Sequence, residues 1–221
     1  MKSLFILLCT IPFTLFGQED NKVGYWYMYF GNYKLDHRFN WYAEVQSRNH
    51  SLLGGAEQQL IRTGVGIELD EKNDNNLLLG YGYIETTASL STNVKDESIE
   101  EHRIYQQLIN QVKYGKLNLT HRFRLEERFI KSNFLFRLRY LLSIKIPINE
   151  NLFKNNSFHL SFYNELFVDK KLLERDRMFG AIGYAISDEV RLEVGIMTQV
   201  NKLAIKNQFQ VALYNDLSFI D

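Results

Sequence analysis

The 221-residue chain carries 26 Lys and Arg against 26 Asp and Glu, and aromatic residues make up 14% of it. With no net positive charge it lacks the cationic excess that displaces counterions from a phosphate backbone, which argues against nucleic-acid binding. Its one cysteine, Cys9, rules out an internal disulfide framework or a cysteine metal site, and only Pro12 and Pro147 interrupt the supply of backbone donors for a sheet.

The N-terminus reads "MKSLFILLCTIPFTLFGQED". A cationic Lys2, an apolar run over residues 4–16 and polar residues after Gly17 predict a secretory signal peptide, residues 1–17. The run is shorter than the ~17–25 residues of a spanning helix. Cys9 lies inside it, and bulky Leu8 before it argues against lipid acylation. Residues 18–221 are then expected to form one mature domain.

Alternation of apolar and polar residues recurs along that domain. After "GYWYMYFGNYKL" (24–35), residues 38–48 set Phe39, Trp41, Ala43 and Val45 against Asn40, Glu44, Gln46 and Arg48. Ile61, Val65 and Ile67 oppose Arg62, Gly64, Gly66 and Glu68 in 57–69. Residues 77–84 oppose Leu77, Leu79, Tyr81 and Tyr83 to Leu78, Gly80, Gly82 and Ile84. Residues 99–112 admit an amphipathic helix through Ile104, Leu108 and Val112, but the surrounding pattern favours a strand. In 117–129, "HRFRLEERF" separates Phe123, Leu125 and Phe129 from Arg122, Arg124, Glu126 and Arg128. A helix turns ~100° per residue and would mix these sets; a strand segregates them. Glu127 is the misfit, on the apolar parity near the strand's end.

The same period continues through 134–146 (Phe136, Leu138 and Tyr140 against Arg137 and Arg139), 158–165, 190–199 and 208–219. Residues 174–186 have strand length but mixed parity. "KLDH" (34–37), "DEKNDNN" (70–76), "YGK" (114–116) and "SDE" (187–189) mark short turns, and 49–57 and 86–98 longer loops.

Many of these segments reach 10 residues, longer than the usual soluble strand and long enough for a tilted bilayer crossing. In lipid every backbone donor and acceptor must be paired, which only a closed sheet achieves. The expected fold is therefore all-β: an antiparallel transmembrane barrel of 10–12 strands, apolar outside and polar inside. A soluble barrel with the opposite face inward shares the same period. The signal segment, the strand lengths and the aromatics near strand ends favour the membrane form and an outer-membrane location. Eleven segments are visible. Since bacterial single-chain barrels have even strand numbers, either ten or twelve is predicted. The final "LSFID" is similar to the C-terminal strand by which outer-membrane barrels engage their insertion machinery, except that Phe219 is two residues from the end.

The blocks "WYMYFGNYKLDHRFNWYAEVQSRN", "LIRTGVGIEL", "LLLGYGYIET", "EHRIYQQ", "HRFRLEERF", "FRLRYLLSIKIPIN", "FYNELFV" and "RDRMFGAIGYAI" occur in that order. Together they resemble an outer-membrane barrel family catalogued as domain of unknown function 2490, over nearly the whole mature chain. The resemblance implies the barrel fold and the outer-membrane location. It implies no activity and no catalytic residues.

Chemistry-bearing residues are few. His159, Ser161 and Glu165 share one parity, but neighbours two apart on a strand stand ~7 Å from each other, too far for a relay. No metal-ligand spacing or phosphate loop occurs, and the strand glycines are expected to make room for large interior side chains. The interior parity carries Glu44, Arg62, Arg122, Arg124, Glu126, Arg128, Arg137, Arg139, Glu165, Arg191 and Glu193. Such a set predicts either a paired Arg/Glu lattice that fills a narrow barrel or a passage for a small anionic solute. A lipid-modifying barrel enzyme and a soluble carrier of an apolar ligand are the competing functions. The expected partners are outer-membrane lipid and, in the passage reading, that anion.

Overall fold

The computed structural model describes residues 18–72, 74–88, 97–149, 152–170 and 172–220; the expected signal segment, residues 1–17, lies outside them. The described residues form eleven strands and no helix. These are β1 (Gln18–Lys34), β2 (Phe39–Asn49), β3 (Ala56–Glu68), β4 (Asn75–Ala88), β5 (Glu97–Tyr114), β6 (Leu117–Ile130), β7 (Asn133–Pro147), β8 (Phe158–Asp169), β9 (Leu172–Ala185), β10 (Val190–Asn201) and β11 (Ala204–Asn215). Each pairs antiparallel with the next, so the 99–112 segment is a strand hydrogen-bonded on both sides.

The expectation of ten or twelve strands is corrected to eleven. β1 does not lie partly outside the barrel. It pairs with β2 on one side and with β11 on the other, and the sheet closes. The physical consequence follows from counting. In an up-and-down meander an odd number of strands leaves the first and last running the same way, so the closing pair must be parallel. Gln18 faces Ala204 and Gly31 faces Asn215. The tail extends this seam, with Lys34 N donating to Leu217 O and Phe219 N to Lys34 O, at 2.9 and 3.0 Å.

The period of two decides which side chains enter the lumen. Phe123, Leu138, Ile182 and Ile196 stand outside, 51–62% exposed. Asn40, Glu44, Gln46, Arg62, Gln107, Arg124, Glu126 and Gln210 are buried inside. The polar face is inward, which overturns the alternative of an apolar ligand-binding interior. The mixed parity of 174–186 arises because Phe179, Ala181 and Ala185 share the buried face with Arg177. Between β8 and β9 the register shifts at Phe167/Val168, where β9 carries an extra residue at Glu174.

The strands turn at two ends. The first end holds the connections 35–38, 69–74, 115–116, 148–157 and 186–189; the second holds 50–55, 131–132 and 202–203, and there β4 and β8 end and β5 and β9 begin. In the 115–116 turn Gly115 has φ +60°, a conformation that costs a glycine little. Asp70 orders the 69–74 turn by accepting from Asp74 N (3.0 Å), Lys72 N (3.1 Å) and Asn75 Nδ2 (2.5 Å). These donors hold its carboxyl below the usual range. The 148–157 loop is fastened to the 186–189 turn. Asp188 accepts from Lys154 Nζ and Asn155 N at 2.9 and 2.8 Å, which lowers its carboxyl likewise.

Candidate functional site

Register brings the inward charges of different strands face to face. Glu126 on β6 stands opposite Arg137 on β7, and Arg124 opposite Arg139. Glu44 on β2 stands opposite Arg62 on β3, and Glu165 on β8 opposite Arg177 on β9. From these pairings the side chains build a connected lattice around three carboxylates.

Glu126 is the centre, 0% exposed. Its Oε2 accepts from Arg137 Nη2 and Nε at 2.6 and 2.9 Å, and its Oε1 from Arg139 Nη1 at 2.6 Å. Arg124, Arg103 and Arg62 approach it to 3.7, 3.8 and 4.0 Å. Five guanidiniums thus surround one carboxylate. Glu165 accepts from Arg122 Nη2 at 2.7 Å and from Arg139 Nη2 and Nε at 2.6 and 2.9 Å, with Arg177 at 3.8 Å. Glu44 takes Arg62 Nη1 (2.8 Å), Tyr42 OH (2.7 Å) and Gln46 Nε2 (2.6 Å). An isolated buried charge is costly, and shared bidentate forks of this kind are the geometry that offsets the cost.

Toward the second end the lattice fills the lumen. Arg103 and Arg128 both hold Glu101, at 2.6 and 2.5 Å. Phe167, 1% exposed, is ringed by Arg137, Arg139, Arg175 and Arg177 at 4.5–5.4 Å from its centroid. Toward the first end the lumen is hollow. A cavity of about 340 Å³ runs from a floor at Arg48, Arg62, Arg122, Arg139 and Arg177 to a rim at Asp74, Asn118 and Asp216. Near the rim Lys145 Nζ donates to Glu193 at 2.5 Å, and Arg191 bonds Asp216.

The interior charges expected from sequence therefore fall into distinct places. Glu44, Arg62, Arg122, Arg124, Glu126, Arg137, Arg139 and Glu165 meet in the central lattice. Arg128 belongs to the Glu101 pair, and Arg191 and Glu193 to the rim. Glu101, Glu174, Arg175 and Asp216 escaped the sequence reading. Parity with Arg103 marks Glu101, whereas the bulge hides Glu174 and Arg175. Glu127 is half-buried on the outward parity, at the register of Ile104 and Phe136.

His159, Ser161 and Glu165 do not assemble into a relay. His159 Nε2 lies 3.1 Å from Glu193 Oε1, while Glu165 is engaged by arginines. His159 is wholly buried, and its strand partner is Gly183, where an added Cβ would come 2.1 Å from Nε2. Gly80 makes the same room for Tyr105. Among the described residues no group of three or more His, Cys, Asp or Glu is placed to hold a metal ion.

Comparison with curated proteins finds no match, and comparison with solved structures finds none. A family model does match, over residues 23–210, which spans β1 through most of β11. The chain, a closed eleven-strand barrel with a charged lumen, belongs to the family described as "Protein of unknown function (DUF2490)".

Proposed function

We propose that the protein is an outer-membrane β-barrel with a closed lumen, a one-ended polar vessel rather than a through-pore. The observation that carries this reading is the inverted polarity of the wall. A sheet that turns Phe, Leu and Ile outward on every side and buries Arg and Glu within is the arrangement suited to lipid. Strands of 11 to 18 residues are long enough to cross the hydrocarbon layer at a tilt. The apolar run over residues 4–16 supplies the export signal in this reading.

The filled half of the lumen favours a vessel over a passage. Glu126, Phe167 and Arg137 are 0–4% exposed, so little water reaches that level. The cavity opens at the first end, which we assign to the periplasmic side, so that the vessel's mouth faces the periplasm. Membrane fractionation and heat-modifiable gel mobility test the location: the mature chain is expected in the outer-membrane fraction with a heat-dependent shift. A chain that stays soluble without detergent would refute it. Planar-bilayer recording tests the lumen, with silence expected and stable ohmic steps counting against closure.

A further inference from the structure

The floor of the cavity holds more positive charge than its own acids answer. Arg48, Arg62, Arg122, Arg139 and Arg177 line it, with only Glu44 and Glu165 among them. Arg62 and Arg139 also share Glu126, which three further arginines approach. Arg48 is the clearest case. Among the described residues its guanidinium has no carboxylate within 4.0 Å. It donates instead to Gln46 Oε1 at 2.7 and 3.2 Å and to Gln58 Oε1 at 2.5 Å. Arg177 donates to Gln199 Oε1 at 2.9 Å, and its one acid, Glu165 at 3.8 Å, is already held by Arg122 and Arg139. Amide oxygens fix a guanidinium in place without cancelling its charge. Among the described residues, Arg122 Nε, Arg62 Nε and Arg124 Nη1 have no hydrogen-bond partner.

A second feature adjoins these cations. Arg48 and Arg177 stand over the Trp26 ring, 3.9 and 5.0 Å from its centroid. Trp26 packs with Met28, Tyr163 and Phe179 into an apolar cluster that also lines the cavity. Glu68 and Asp74, which form no ion pair within 4.0 Å among the described residues, lie at the rim, away from this floor. A cavity of this size is at the lower end of those that hold small molecules.

From these observations we infer that the vessel binds a small organic oxyanion, a carboxylate or phosphate ester. Its charged group is received by Arg48 and Arg177, with Arg122 as a further donor, and its apolar body lies on the Trp26 cluster. Pre-positioned forks whose partners are neutral favour an anion of fixed geometry over diffuse chloride. The mouth lies at the rim of the lumen, ringed by turns, so the occupant is a water-soluble solute rather than a bilayer lipid. The inference rests on the closed-lumen reading. A conducting barrel would fail in the bilayer while leaving solute binding measurable, so the two failures are distinguishable.

Calorimetric titration of the detergent-folded full chain with phenyl phosphate and inorganic phosphate, at ionic strength matched with chloride, tests the site. One saturable phenyl phosphate site is expected, tighter than inorganic phosphate. Arg48→Gln and Arg177→Gln should each weaken it by about tenfold or more, while Arg38→Gln at the exposed rim leaves it unchanged. Should either interior variant fail to fold, Trp41→Phe leaves Trp26 as the single tryptophan, and phenyl phosphate should change its emission. Folded protein that binds neither phosphate better than chloride would overturn the inference. So would Arg48→Gln and Arg177→Gln titrating like the unsubstituted chain, or Trp26 emission that does not respond.

Discussion

The lattice turns on single atoms whose removal has unequal effects. Glu126 serves Arg137 and Arg139 directly and balances three more guanidiniums within 4.0 Å. Glu126→Gln keeps the volume but leaves five arginines in mutual repulsion. Deleting one partner of a buried ion pair costs about 3–5 kcal/mol, and that loss is expected in urea unfolding of the detergent-folded barrel. Glu57→Gln, at an exposed pair with His50 3.8 Å away, should be near neutral. A shift for Glu126→Gln no larger than for Glu57→Gln would mean the arginines balance one another without it. Steric fit is equally local. A Cβ at Gly80 would come 2.2 Å from the Tyr105 ring. Gly80→Ala should destabilise by roughly 1–3 kcal/mol through overpacking. Tyr105→Ala in the same chain should recover part of that loss, because the three atoms nearest the added Cβ all belong to that side chain. Independent, additive effects in the double-mutant cycle would remove Tyr105 from the explanation.

At the scale of elements, the rim is tied by a charge that titrates. Asp188 links the 148–157 loop to the 186–189 turn through Lys154 and Asn155, and its carboxyl lies below the usual range in the fold. A depressed carboxyl contributes its fastening above the unfolded value and loses it as pH falls through the lower folded value. Hydrogen exchange over residues 152–157 should therefore be slow at neutral pH and rise only in strong acid. Asp188→Asn should show the raised exchange already at neutral pH, and exchange there as slow as in the unsubstituted chain would detach the loop from this acid. Much of this level was legible in the sequence. Parity alone placed Arg122, Arg124, Glu126 and Arg128 on one face of β6, because a strand's period cannot place them otherwise. Parity does not reveal which carboxylate meets which guanidinium; that depends on the register of strands as distant as β3 and β6. Nor could it anticipate the bulge at Glu174, where one extra residue put neighbours Glu174 and Arg175 beyond a period-two reading.

For the whole molecule, the strand number was the property least visible in the chain. Eleven segments were readable, but closure is a pairing between residues near 18–31 and 204–215, and no local pattern announces it. The even-number rule pointed away from eleven because it describes barrels whose closing strands are antiparallel. Odd closure has a geometric signature that can be measured. β1 and β11 both start at the second end, so Val23 lies at the end that carries Leu53, while Leu217 lies at the opposite end with Lys116. Val23, Leu53, Tyr114 beside that turn and Leu217 are all exposed, 38–89%. In the proposed orientation, Leu53→Cys and Val23→Cys should react with a membrane-impermeant maleimide on intact cells. Lys116→Cys and Leu217→Cys should react only after the outer membrane is permeabilised. An even-stranded barrel would place positions 23 and 217 on the same side, so their reacting together would exclude the parallel seam. If 116 and 217 reacted on intact cells while 23 and 53 did not, the seam would stand and the vessel's mouth would face outward.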